Sequence, residues 1–191
     1  MDLDLRRAQL LALGLNVFSE RSYDDVSIDD LAHAAGISKG LLYHYFPTKR
    51  HFYVAALAEA ASQLVAATAH ATAGPLRTPA KKISVGLEAY LDFVEQRGPA
   101  YLALMRGGIG SDPEVAEIVE SARTVFFERV LTQLPKGCGG PLARVAVRGW
   151  IGFIENASLD WIARRTVSRE ALVRLATQVL LSALKAAVVK R

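Results

Sequence analysis

The run Ser27-Ile28-Asp29-Asp30-Leu31-Ala32-His33-Ala34-Ala35-Gly36-Ile37-Ser38-Lys39-Gly40-Leu41-Leu42-Tyr43-His44-Tyr45-Phe46 reads as two short helices hinged at one glycine. Ser27 stands at an N-cap with an acid at the third helical position, the pattern that satisfies free first-turn amides. Ile28, Leu31 and Ala32 recur at i, i+3 and i+4 and form an inner face. Gly36 supplies the left-handed backbone that ends the first helix. Ile37 plugs the turn, Ser38 caps the second helix, and Leu42 with Tyr45 or Phe46 anchors it. Such a turn projects the second helix outward, leaving Lys39, Gly40, Leu41, Tyr43 and His44 on its outer face. Lysine is a phosphate or guanine partner, glycine admits close backbone approach, and Tyr and His can donate to phosphate oxygens.

Outside this pair the chain repeats at helical spacing, and no segment alternates with period two. Breakers cut it into nine predicted helices, near 4–20, 28–35, 38–45, 48–72, 80–96, 99–107, 113–134, 141–165 and 168–189. Asp112 before Pro113, and Ser168 before Arg169-Glu170, supply further helix starts. The expected class is all-α. A three-helix helix–turn–helix domain fills residues 1–47, and a larger helical bundle fills 48–191.

With 191 residues and 51% hydrophobic side chains, the chain can bury a core. Its net charge of +4 is a weak global field, and the first 50 residues are net −1. What favours a polyanion is local: Lys39, Lys49 and Arg50 occur between Leu31 and Ala58 with no acid among them. One cysteine, Cys138, excludes an internal disulfide and fits a reducing, cytoplasmic setting. The richest apolar run, Val179 to Val189, is too short to span a bilayer, so no membrane partner is expected. His33, His44, His51 and His70 lack metal-ligand spacing, and Cys138 has no histidine nearby in sequence. No cofactor, metal site or catalytic constellation is expected.

Residues 10–52 resemble the DNA-binding domain of TetR-family transcriptional regulators. The likeness is carried by Phe18 to Tyr23, Ser27 to Ala32, Ala35 to Gly40, Leu42 to Phe46 and Pro47-Thr48-Lys49. The resemblance implies a homodimer whose third helices enter successive major grooves of a near-palindromic double-stranded operator. The positions matching the family's usual contacts are Ser27, Ser38, Lys39, Gly40, Leu41, Tyr43, His44, Tyr45 and Lys49. Lys49 and Tyr43 would hold phosphates, and Lys39 and Gly40 would approach base edges. Leu41 stands where relatives often carry a small polar residue; it can press on a thymine methyl but cannot hydrogen-bond a base.

The resemblance also implies a small-molecule effector, apolar or aromatic, held in the C-terminal bundle. Its candidate lining is Tyr90, Phe93, Tyr101, Met105, Phe126, Phe127, Trp150, Phe153 and Asn156, the last a polar group inside an apolar run. The final two helices read as a dimer interface through Ile151, Ile154, Trp161, Leu172, Leu175, Val179, Leu180 and Ala183, the rival being a monomeric bundle in which these stripes face the fourth to seventh predicted helices. The functional expectation is a repressor released from its operator by the effector. The alternative is a small-molecule binding protein that keeps this fold without binding DNA.

Overall fold

A computed structural model describes residues 3–21, 23–75, 78–98, 101, 112–134 and 138–188. The described residues form eight α-helices and no strand. They are α1 (Leu3–Glu20), α2 (Ile28–Ala34), α3 (Lys39–Tyr45), α4 (Lys49–Thr72), α5 (Pro79–Gln96), α6 (Pro113–Thr132), α7 (Pro141–Arg164) and α8 (Arg169–Val188). The helix expected over 99–107 falls almost wholly outside the described residues. The starts follow the cap chemistry. Asp112 accepts from the Glu114 amide at 3.0 Å, and Ser168 accepts from the Ala171 amide at 3.2 Å.

Contacts group the chain into two units. One comprises Met1–Gln63 with Arg97–Glu120, and the other Leu64–Gln96 with Ser121–Arg191. The divisions fall inside α4 and α6, each of which is one continuous helix.

In the first unit an aromatic cluster carries the packing. Phe18 meets Tyr53 edge-on at 4.8 Å, and Phe46 meets Phe52 edge-on at 4.6 Å. Phe52 is fully buried and lies directly against Gly14, where any Cβ would overlap its ring. That close approach explains a glycine in the middle of α1, a position where it weakens the helix.

The second unit is organised by the α7–α8 pair. The Trp150 indole donates to the Ala176 carbonyl at 2.8 Å, and the Trp161 indole donates to the Val167 carbonyl at 3.0 Å. Arg165 ends α7 in a left-handed conformation (φ 50°), and its backbone N–H returns to the Trp161 carbonyl. Arg165 and Arg169 then tie the corner to α5 through Glu95 and Asp92.

Two expectations change here. First, α4 is long and apolar enough, by length and composition, to cross a membrane, which the run 179–189 is not. Its Phe52, Tyr53, Ala56, Leu57 and Ala60 are buried in the protein. Second, Ile151, Ile154, Trp161, Leu172 and Leu180 are at most 5% exposed within a single chain. They pack inside the protomer and have no surface left to offer a second copy. Of the expected interface set, Leu175 is exposed and Val179 and Ala183 are half-buried.

Candidate DNA-binding surface

The helix–turn–helix is built by three local devices. Ser27 accepts from the Asp30 amide at 3.0 Å, while Asp30 accepts from the Ser27 amide at 2.7 Å, closing a capping box. The Ser27 hydroxyl and amide, aided by Arg21, hold the Asp30 carboxyl down to a pKa of about 2. Gly36 then adopts φ +61°; its amide bonds the His33 carbonyl and the Ile37 amide bonds that of Ala32. This is the paired Schellman closure, and a side chain at Gly36 would be strained by the backbone alone. Ser38 caps α3 by accepting from the Leu41 amide at 3.2 Å.

Leu42 and Phe46 bury fully beneath α3. The opposite side presents Leu41 at 41% and Tyr43 at 42% exposure, with exposed Lys39, Gly40 and His44. Leu41 and Tyr43 are the large apolar or aromatic side chains that α3 leaves exposed. Nothing lies within 4 Å of a Cβ built on Gly40, so the backbone there is open to close approach. Tyr45 is half-buried between His44 and Phe46 and belongs to the edge of the surface. Ser27 and Ser38 have their hydroxyls engaged in caps.

The three cations on which the local charge argument rested are all engaged. Lys39 Nζ lies 2.7 Å from the Asp29 carboxylate, which raises its pKa. Lys49 Nζ turns inward, donating to the Tyr23 carbonyl at 2.9 Å and sitting 4.0 Å from that ring's centroid. Arg50 forms a two-pronged pair with Asp112, at 2.8 and 2.9 Å, and reaches Glu114 at 2.9 Å. The Arg50 hydrogen bond holds the Asp112 carboxyl below the usual carboxylate range. The acid-free window in sequence is therefore not an acid-free surface. Lys49, the expected phosphate contact, carries its ammonium on the half-buried Tyr23 in the DNA-free chain.

Sequence reasoning missed Asp29, Asp112 and Glu114 as partners of these cations. Asp112 was visible as a helix cap; its distance of 62 residues from Arg50 hid the pairing.

In the second unit the aromatic candidates divide. Tyr90 is buried and its hydroxyl meets the fully buried Ser158 hydroxyl at 3.2 Å. Phe127 is buried beneath the Arg144 and Arg148 guanidinium groups, 4.7 and 4.5 Å from its centroid. Phe93, Phe126 and Phe153 are half-buried, and Trp150 is held by α8. Tyr101 is buried and belongs to the first unit, and Met105 lies outside the described residues. Asn156 is a correction: it is exposed and donates to its own helix at Gly152, so no buried amide awaits a ligand. Its neighbour Glu155 is held in a two-pronged pair by Arg123.

A capped helix–turn–helix with an outward recognition helix, at the head of an all-helical chain, defines a DNA-binding module. Comparison with known proteins gives its family. Residues 10–56 match the model for bacterial regulatory proteins of the tetR family, and residues 79–182 match a tetracyclin repressor-like C-terminal domain. The chain belongs to the TetR family of transcriptional regulators. It is 27% identical over 176 residues to the HTH-type transcriptional activator FasR of Mycolicibacterium smegmatis, a match covering 89% of this chain and 78% of that one. A solved tetR-family regulator from Streptomyces coelicolor is 33% identical, with TM-score 0.79 over 97% of this chain and 82% of that one. The fold also matches FadR from Bacillus subtilis, solved in complex with stearoyl-CoA, at 18% identity and TM-score 0.71, covering 93% and 97% of the two chains. The protein is a DNA-binding transcriptional regulator.

Proposed function

We propose that the protein acts as a cytoplasmic homodimeric repressor whose two α3 helices occupy successive major grooves of a near-palindromic operator. The observation that carries this reading is the outer face of α3, where Leu41 and Tyr43 stand in water beside the open backbone of Gly40. Lys39, Gly40 and Leu41 would face base edges, with Tyr43 and His44 on phosphates. Because FasR is an activator, the sign of regulation is what a reporter assay decides.

The dimer would form through faces that the protomer leaves uncovered. On α7 these are Leu142 and Val145, at 65% and 69% exposure, with the open backbone of Gly149. On α8 they are Leu175, Val179 and Ala183, four residues apart and so on one stripe. The effector would enter the second unit among Phe93, Phe126, Phe153 and Tyr90. The stearoyl-CoA held by the FadR fold supports an apolar acyl chain as the ligand class. Its uptake would tilt α4 and change the roughly 34 Å between the two recognition helices. Full switching needs a preference of about 5.5 kcal/mol for the released state.

The test is titration of labelled duplex from the region flanking its own gene, at several salt concentrations. The expected log–log slope is about −3 or steeper, from four or more phosphate contacts. Replacement of Tyr43 by Ala should weaken binding at every salt concentration. Absent or salt-insensitive binding to this duplex would refute the proposed operator and its α3 contacts.

A further inference from the structure

Of the three engaged cations, Lys39 alone pairs with an acid on the recognition surface itself. Its side chain is 50% exposed and that of Asp29 is 67% exposed, whereas the Asp112 carboxylate that holds Arg50 is only 6% exposed. The placement has an electrostatic logic. Asp29 lies in the first turn of α2, where the helix dipole favours an anion. Lys39 is the first residue of α3, where the same dipole disfavours a cation. Asp29 reaches across the turn and offsets that cost.

We propose that Asp29 is a specificity-determining residue, holding Lys39 in an ion pair that DNA must replace before Lys39 contributes to binding. The inference rests on the reading of α3 as the recognition helix. A phosphate met at random offers Lys39 one charge in exchange for another, and it brings the Asp29 carboxylate towards the negative backbone. The pair therefore adds little to sequence-independent attraction, which depends on uncompensated positive charge. A guanine edge presents two acceptors at a fixed place in the major groove, and only the right base in the right register repays the broken pair. Asp29 acts through Lys39 and is a positioning residue; it needs no base contact of its own.

The experiment is selection of bound duplexes from a random-sequence library by the full chain, paired with affinity for one fixed scrambled duplex. Wild type, Asp29→Asn, Asp29→Glu, Lys39→Ala and the double variant D29N/K39A are compared. For D29N, affinity for the scrambled duplex should tighten by about 2- to 5-fold per subunit, the range spanned by exposed ion pairs. The gain should fade as salt rises above roughly 0.3 M. The selected motif should become less selective at the positions read by α3. D29E keeps the carboxylate and should select the wild-type motif. In the K39A background the D29N gain should vanish.

Both side chains are exposed, so D29N should melt close to wild type; Asp29→Ser serves if it does not fold. An unchanged motif with unchanged affinity for the scrambled duplex would overturn the proposal. So would an equal gain with and without Lys39, which would reduce Asp29 to a nearby charge. If wild type itself enriches no motif, the recognition-helix reading fails and takes this inference with it.

Discussion

Gly14→Ala adds one methyl group to α1 and should destabilise the protein, although alanine is the better helix former. In an open helix interior the exchange would gain about 1 kcal/mol. Here the new Cβ would lie 2.3 Å from one ring carbon of Phe52 and 2.6 Å from the next. Carbon atoms pack at about 3.5 Å, so the ring must retreat by about 1 Å. It has nowhere to go: Phe52 is fully buried, with Phe46 edge-on at 4.6 Å and Phe18 at 6.1 Å. Overpacking of this kind costs about 1–3 kcal/mol, and the shortness of the contact places it at the upper end. The net loss is about 1–2 kcal/mol, or roughly 2–8 °C in Tm for a chain of this size. Phe46 closes the C-terminal end of α3, so the displaced ring should also shift the recognition helix and weaken operator binding. Circular dichroism melting and duplex titration measure the two effects. Gly40→Ala, with nothing within 4 Å of its Cβ, is the control and should melt no lower than wild type. Adding Phe52→Leu to Gly14→Ala should recover part of the loss by making room. A Gly14→Ala protein that melts at or above wild type, or a double variant with no coupling, refutes the packing account.

Two further outcomes are expected. The Asp30 carboxyl is depressed from 3.8 to about 2 by the capping box, so its stabilisation is present above pH 4 and lost as pH falls through 2. The melting deficit of Asp30→Asn should accordingly be constant from pH 5 to 7 and shrink between 4 and 2; a deficit independent of pH removes the cap as its cause. Leu175→Glu and Val145→Glu should halve the mass seen by light scattering from that of two 20.7 kDa chains while keeping the helical spectrum. Leu180→Glu, at a fully buried site, should instead unfold the second unit. A Leu175→Glu protein that remains dimeric places the interface elsewhere.

The helix–turn–helix was legible because its determinants are local. The cap residues, the glycine and the apolar spacing all act within five residues, and α2 and α3 fall within one residue of their expected bounds. The packing was less legible where a helix is apolar nearly all round. In α8 the inward stripe Leu172, Ala176, Leu180 and the outward stripe Leu175, Val179, Ala183 are offset by three residues, and composition alone merges them. The same merging on α7 assigned buried Ile151 and Ile154 to an interface and exposed Asn156 to a cavity. Gly14 gave no signal at all, since its reason is a ring 38 positions away.

Charge was the property read least well. The window without acids from 31 to 58 holds three cations, but its inference of free positive charge does not survive folding. Asp29 lies two residues outside that window and Asp112 more than fifty, and both reach into it. Arg50 and Lys39 then present neutralised pairs to an approaching duplex, and Lys49 presents an ammonium already turned towards Tyr23. Long-range steering falls with net local charge, so these side chains contribute little attraction before contact. Binding must draw on exchange at contact, where each ion pair is broken only if the DNA supplies a better-placed acceptor. Under the proposed reading of α3, a window that looks basic in sequence is made selective by acids lying outside it. The strength of that selectivity depends on which acids are exposed enough to yield: Asp29 is, and Asp112 is not.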